Sequence, residues 1–138
     1  MATFNKFNQF VEDLAEKVHN LGSDTLKVAL TNSAPVASNT VLANITEISY
    51  TNCSSRTLSV TSSAQTSGTY KLVLSDLVLT ASGGTVGPFR YVVIYNDTPT
   101  SPADPLIGWY DYGSNLTLNS GETLTLDFDQ VNGVLTIA

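Results

Sequence analysis

Residues 88–138 contain a succession of short β-strand patterns separated by turn residues. The segments are PFRYVVIYNDT, PLIGWYDYGS, NLTLNSG, ETLTLDFDQ and VNGVLTIA. β-Branched and aromatic residues alternate with polar residues in most of them, and Gly, Pro, Asn or Asp lies at their ends. Five strands in about fifty residues is the spacing of a β-sandwich or a small barrel rather than of a βαβ enzyme.

The N-terminal segment has a different periodicity. Its apolar residues recur at helical spacing, at Phe4, Phe7, Phe10, Val11, Leu14, Val18 and Leu21. Thr3 can cap the start of such a helix, and Gly22 can supply a left-handed residue after its end. We therefore predict an amphipathic helix over about residues 4–20. Its apolar stripe either packs on the sheet of its own domain or docks against a partner subunit.

The remaining chain also predicts strands. TLKVALTN alternates as a half-buried strand, and RTLSVTSS and TYKLVLSDLVLTA predict one strand each. Residues 39–48 fit a single helical turn. In the strand that Pro88 opens, both faces are apolar, which is typical of a strand in the middle of a sandwich. Asn132-Gly133 is a typical hairpin turn.

These patterns predict a mainly β (α+β) fold. We expect one domain over 1–138, with the helix over about 4–20 and an antiparallel β-sandwich or jelly-roll-like body of about eight strands over about 25–138. The sequence does not order the strands, so the jelly-roll and immunoglobulin-like arrangements both stay open.

The charge of the chain argues against some partners. The net charge is −6, and the six Lys and Arg residues are scattered between Lys6 and Arg90. Nucleic acid and anionic membranes both require clustered cations, so we expect neither as a partner. The chain has no run of ~18 apolar residues. It also has no basic segment followed by an apolar one, so we expect cytoplasmic synthesis without a signal peptide.

Residues suited to catalysis or metal binding are few. His19 is the single histidine and Cys53 the single cysteine, so no internal disulfide forms and a zinc site is disfavoured. Asp127 and Asp129 would share a face on a strand, as a calcium-binding or glycosidase-like pair or as solvated turn carboxylates. Arg90 is interpreted as structural and as needing a carboxylate partner, either Asp111 or Asp127. We predict no catalytic, metal-binding or cofactor-binding residue, and no enzyme.

Aromatic residues are concentrated around residue 110. Tyr91, Tyr95 and the Trp109–Tyr112 segment could form a sugar-stacking platform, or they could pack in the core or at a subunit interface. Combined with the phenylalanines of the N-terminal segment, they give six candidate protein-interface residues. These are Phe4, Phe7, Phe10, Trp109, Tyr110 and Tyr112.

Two long segments carry a family resemblance. FNKFNQFVEDLAEKVHNLGSDTLKVALTNSAPVASNTVL and GPFRYVVIYNDTPTSPADPLIGWYDYGSNLTLNSGETLTLDF together cover most of the chain. Both resemble small structural proteins of tailed bacteriophages, and within that group the chain is most similar to capsid cement, or decoration, proteins. The resemblance implies a compact β-domain on the outside of the head shell, commonly a trimer, that clamps neighbouring major capsid subunits. It implies no catalytic motif and no cofactor.

The expected role is therefore that of a virion protein at the head surface. Its expected partners are the major capsid protein and further copies of this chain, as a homotrimer. One alternative is a receptor- or glycan-binding domain of a tail or head fibre that uses Trp109 and the neighbouring tyrosines. Another is a hydrolase built on Asp127 and Asp129. The sequence does not distinguish a head from a tail location.

Overall fold

The computed structural model describes residues 2–138 and is mainly β, with antiparallel strand pairing throughout. Its elements are β1 (Asn5–Lys6), α1 (Gln9–Ala15), β2 (Leu26–Thr31), a 3₁₀ turn (Leu42–Asn44), β3 (Val60–Thr66), β4 (Thr69–Leu74), β5 (Leu77–Thr80), β6 (Val86–Asn96), β7 (Leu106–Leu118), β8 (Thr123–Leu126) and β9 (Leu135–Ile137).

The strands form three sheets. The largest has the order β1-β7-β6-β2, a second has the order β3-β4-β9, and β5 pairs with β8 alone. Long strands β6 and β7 lie in the centre of the largest sheet, where β2 pairs with β6 from Leu26↔Asn96 to Thr31↔Tyr91. The architecture is compatible with the predicted β-sandwich, with nine strands where about eight were expected.

The main core lies between the largest sheet and the two smaller ones. All three sheets contribute fully buried side chains to one cluster, including Val28, Leu74, Leu79, Ile94 and Ile107. Removing this apolar surface from water is the dominant favourable contribution to folding. The predicted helical turn is present as the 3₁₀ turn. The predicted strand TLKVALTN is present as β2, but it is not half-buried as expected, because both of its faces contribute to a core.

The opposite face of the largest sheet is also covered, by a second core. It consists of Phe7, Ala29, Ile45, Val93, Tyr95 and Leu106, with Leu42 and Trp109 packed against them. Because successive residues of a strand point to opposite faces, Val92 lies in the main core and Val93 in the second core. The prediction that β6 is buried on both faces is therefore confirmed.

The predicted helix over 4–20 is wrong in its extent, because α1 has only seven residues. Residues 5 and 6 instead pair with β7 as β1, and the backbone N–H of Phe7 donates to the carbonyl of Ile107. Asn8 precedes the helix without a side-chain capping bond, and Lys17 adopts a positive φ of 69° just after its end. Thr3 and Gly22 therefore do not bound the helix.

The apolar side chains of this segment explain the short helix. Phe10 joins the main core, whereas Phe7 joins the second core on the other side of the sheet. One helical stripe cannot reach both faces of a sheet, so tertiary burial overrides the weak local helix preference.

Three strand predictions also change. The single strand expected over 69–81 is divided at Ser75 and Asp76 into β4 and β5, which lie in different sheets. Conversely, the separate strands expected on either side of Ser114 are one strand, β7. The predicted hairpin at Asn132-Gly133 does not form, because β8 pairs with β5 and β9 pairs with β4.

Candidate functional site

An apolar groove opens between β7, β8 and the segment that precedes β9. Its volume is about 280 Å³. We call it the aromatic groove, and its lining includes three predicted interface residues, Phe4, Tyr110 and Tyr112. The other lining residues are Ala2, Phe89, Val92, Leu124, Thr125, Leu126, Asp127, Phe128, Asp129, Gly133 and Val134.

A row of aromatic rings runs along the groove. The Phe4 and Tyr110 ring centroids are 5.6 Å apart in an edge-to-face arrangement, and those of Tyr110 and Phe128 are 6.2 Å apart. Both distances lie in the range of favourable aromatic pairs. Phe4 lies over Gly108, where an added Cβ would collide with the Phe4 ring. The missing side chain of Gly108 thus permits Phe4 to form one wall of the groove.

The opposite wall is held by a dense set of hydrogen bonds. The carboxylate of Asp129 accepts from the backbone N–H groups of Val131 (2.9 Å) and Asn132 (2.7 Å) and from the Asn132 side chain (2.8 Å). The backbone N–H of Phe128 donates to Asp76 Oδ1 at 2.9 Å. The Asp129 bonds fix the turn itself and the Phe128 bond ties it to the β4–β5 connection, so this wall of the groove is held by contacts within the chain.

Carboxylates give the groove a negative rim. The three hydrogen-bond donors of its own turn hold the pKa of Asp129 below its ordinary value, so this carboxylate stays ionised near neutral pH. Burial, with a further contribution from Asp129, raises the pKa of Tyr110 to about 12. The side chain of Asp127 is exposed beside them.

The predicted Asp127/Asp129 pair does not lie on a strand. Both residues follow the end of β8, and the buried Phe128 lies between them. The lowered pKa of Asp129 is opposite to the raised pKa that a glycosidase general acid requires. Among residues 2–138, no group of three or more His, Cys, Asp or Glu side chains is placed to hold a metal ion.

The structure brings together only three of the six predicted interface residues, Phe4, Tyr110 and Tyr112. Trp109 lies on the face of β7 opposite to Tyr110, and its ring centroid is 4.6 Å from that of Phe7 in the second core. Tyr112 is 53% exposed, whereas Phe7 (0%) and Phe10 (4%) are buried. The phenylalanine stripe therefore packs largely within its own chain, and Phe7 and Phe10 are not accessible to a partner.

Arg90 has one of the two partners expected for it. Its guanidinium donates to both oxygens of Asp111, at 2.8 and 3.1 Å. This ion pair lies at the surface, because both side chains are more than a third exposed. This pairing raises the pKa of Arg90 and lowers that of Asp111.

His19 is buried in a polar network behind α1. Its Nδ1 lies 3.1 Å from Asn96 Nδ2, which also donates to Asp24 Oδ2 at 2.7 Å. An amide nitrogen only donates, so this contact assigns the acceptor role to Nδ1 and the proton of a neutral ring to Nε2, which is buried without a hydrogen-bond partner among residues 2–138. Burial lowers the pKa of His19, although Asp13 and Asp24 act in the opposite direction. The half-buried Cys53 has a raised thiol pKa, also because of burial.

Sequence analysis missed the β8 side of the groove. Its apolar residues Leu124, Leu126 and Phe128 alternate with polar ones, and this alternation was the available signal. Alternation assigns the three residues to one face of a strand but does not show that part of this face stays uncovered.

Comparison with protein-family models, with curated proteins and with solved structures finds no match to this chain. Among residues 2–138, no helix combines the length and the apolar character needed to cross a bilayer.

Proposed function

We propose that this chain is a structural virion protein of a tailed bacteriophage. In this role it binds the outside of the head shell and stabilises contacts between major capsid subunits, as a cement or decoration protein. It acts by adhesion and catalyses no reaction. The proposal starts from the resemblance of two long segments of the chain to phage structural proteins.

The observation that carries the proposal is the aromatic groove. It is lined largely by apolar side chains and bordered by the exposed ring of Tyr112. Exposed apolar surface beside polar residues is typical of protein–protein contact sites. Tyrosine is also a residue type enriched at such sites.

The β-sheet domain around the groove is suited to holding neighbouring capsid subunits together. The long pairing of β6 with β7 gives the domain a rigid scaffold, and hydrogen bonds hold the wall of the groove in place. The net charge of −6 is unfavourable for contact with packaged DNA and is compatible with a position outside the shell.

The test is to locate the chain in intact particles of the phage that encodes it. We expect mass spectrometry to detect it in purified virions, and image reconstruction to show its density on the outer face of the head. Heads that lack it should release DNA at lower temperature than complete heads. Virions that contain no copy of the chain would refute the proposal.

We also propose that the chain forms a homotrimer. Light scattering of the purified protein should give a mass of three times 14.7 kDa. A stable particle of 14.7 kDa at micromolar concentration would contradict a trimer in solution. Because subunits of this type can also associate on the shell, image reconstruction would then decide the copy number at each site.

A receptor- or glycan-binding role is the second candidate. Tyr112 is exposed and lines the same groove as Asp127, and an aromatic ring and a carboxylate in one groove can contact a saccharide through stacking and hydrogen bonds. Trp109 packs in the second core, so Tyr112→Ala tests this role more directly than Trp109→Ala. A glycan array without any signal would remove this candidate.

A further inference from the structure

We propose that the aromatic groove receives an apolar side chain of a partner polypeptide that carries lysine or arginine next to it. The inference rests on the proposed function in taking the partner to be a protein. The chemistry of the occupant is argued from the groove alone.

The floor of the groove selects an apolar group. Phe89, Val92, Phe128 and Val134 are all buried side chains that also border the groove. A volume of about 280 Å³ exceeds the ~150 Å³ cavity that suffices to bind benzene. The groove therefore has room for a large aliphatic or aromatic side chain, whose insertion would remove further apolar surface from water.

The carboxylates at the rim of the groove favour a partner segment with a positive charge. Asp127 and Asp129 both line the groove, and within residues 2–138 neither has an ion-pair partner within 4.0 Å. Lys71 is close enough to lower the pKa of Asp129, but its Nζ donates to the carbonyl of Val131 at 2.8 Å. Two carboxylates thus border an apolar opening, and within residues 2–138 neither is held in a direct ion pair.

A basic partner segment fits better than a second copy of this chain. Of the six Lys and Arg residues, Lys27, Arg56 and Arg90 already lie in ion pairs. The net charge of −6 also attracts a basic segment over a distance. The occupant is therefore a segment of another protein with an apolar anchor flanked by cations.

Three synthetic peptides test this chemistry. They are acetylated and amidated Gly-Lys-Phe-Lys-Gly, Gly-Glu-Phe-Glu-Gly and Gly-Lys-Ala-Lys-Gly, each added at millimolar concentration to the ¹⁵N-labelled full chain. We expect the Lys-Phe-Lys peptide to shift the backbone resonances of Tyr110, Tyr112, Leu124 and Asp127. The other two peptides should shift them much less. Equal shifts with the Glu-Phe-Glu peptide, shifts elsewhere on the protein, or no shift with any peptide would overturn the inference.

A matched pair of charge reversals makes the test specific. Asp127→Lys changes the rim, whereas Glu16→Lys makes the same change in net charge at an exposed residue that does not line the groove. Losing one exposed ion pair corresponds to a two- to fivefold decrease, so we expect Asp127→Lys to weaken binding by about this factor or more. Glu16→Lys should have a smaller effect, and equal effects of the two variants would overturn the inference.

The same two variants separate this inference from the proposed function. Binding of wild-type protein and of both variants is measured on heads stripped of the chain. If the wild type binds and Asp127→Lys binds equally well, the groove inference fails and the proposed function stands. If the chain is absent from virions but the Lys-Phe-Lys peptide binds in the groove, the proposed function fails and the chemistry of the groove stands.

Discussion

The two faces of the largest sheet differ in how completely the chain covers them. On one face, Phe7 and Ile45 are buried in the second core, and the half-buried Trp109 packs against them. On the other, the two smaller sheets cover most of the surface but leave the aromatic groove open beside Tyr110 and Tyr112. Neighbouring residues of the same strand, Trp109 and Tyr110, therefore have different roles. Trp109 completes a core, whereas Tyr110 lines a surface that a partner can contact.

The largest expected effect on the free energy of unfolding lies in the second core. Phe7→Ala should lower the free energy of unfolding by about 3–5 kcal/mol, because it removes a fully buried ring and leaves a cavity. Urea denaturation measures this loss. Val11→Ala is the matched control, since Val11 is 53% exposed and should cost less than about 0.5 kcal/mol. Similar losses for both variants would show that the second core is not closed.

The next largest effect on the free energy of unfolding is expected at Gly108, under the Phe4 wall of the aromatic groove. Gly108→Ala should cost about 1–3 kcal/mol, because the added methyl group meets the Phe4 ring and lies 2.7 Å from the carbonyl oxygen of Asn5. The same substitution should cost less in a Phe4→Ala background, where the ring is gone. Chemical denaturation of the two single variants and the double variant gives this coupling. Additivity within about 0.5 kcal/mol would show that Phe4 does not pack on Gly108.

A smaller effect on the free energy of unfolding is expected from His19, in the polar network behind α1. The pKa of His19 in the folded protein lies below the ordinary value of 6.5. As the pH falls below this value, the unfolded chain binds a proton that the folded protein does not bind. The free energy of unfolding therefore decreases, by at most ~1.4 kcal/mol per pH unit, until the lower folded-state pKa is reached.

NMR titration measures the His19 pKa directly, because the chain has a single histidine. An imidazole pKa at or above 6.5 would contradict the neutral, buried state. His19→Gln should reduce the pH dependence of stability below pH 6.5, the ordinary pKa of histidine.

The smallest expected effect on stability lies in the open groove. Tyr112→Ala should change the free energy of unfolding by less than about 0.5 kcal/mol, because the side chain is largely exposed. The same variant should weaken binding of the Lys-Phe-Lys peptide, since it removes an aromatic contact surface. A marked loss of stability would indicate that Tyr112 belongs to the core rather than to a docking surface.

The sequence predicted the strand-rich class because alternation is a local property. The period of two in β2 and the apolar run in β6 depend on neighbouring residues alone, so both were readable without a structure. The helical reading of the N-terminal segment failed for the same reason. The spacing of apolar residues predicts which of them share one face of a helix. It does not show that Phe7 and Phe10 are buried on opposite faces of one sheet.

By itself, the sequence determined a mainly β chain with a net negative charge and a cluster of aromatic residues around position 110. Only the tertiary structure decided which aromatic residues are covered. Trp109 and Tyr110 are adjacent aromatic residues and both are half-buried, yet Trp109 packs on Phe7 in the second core whereas Tyr110 lines the aromatic groove on the other face of β7. Burial depends on contacts between residues about a hundred positions apart in the chain, and no local pattern records those contacts.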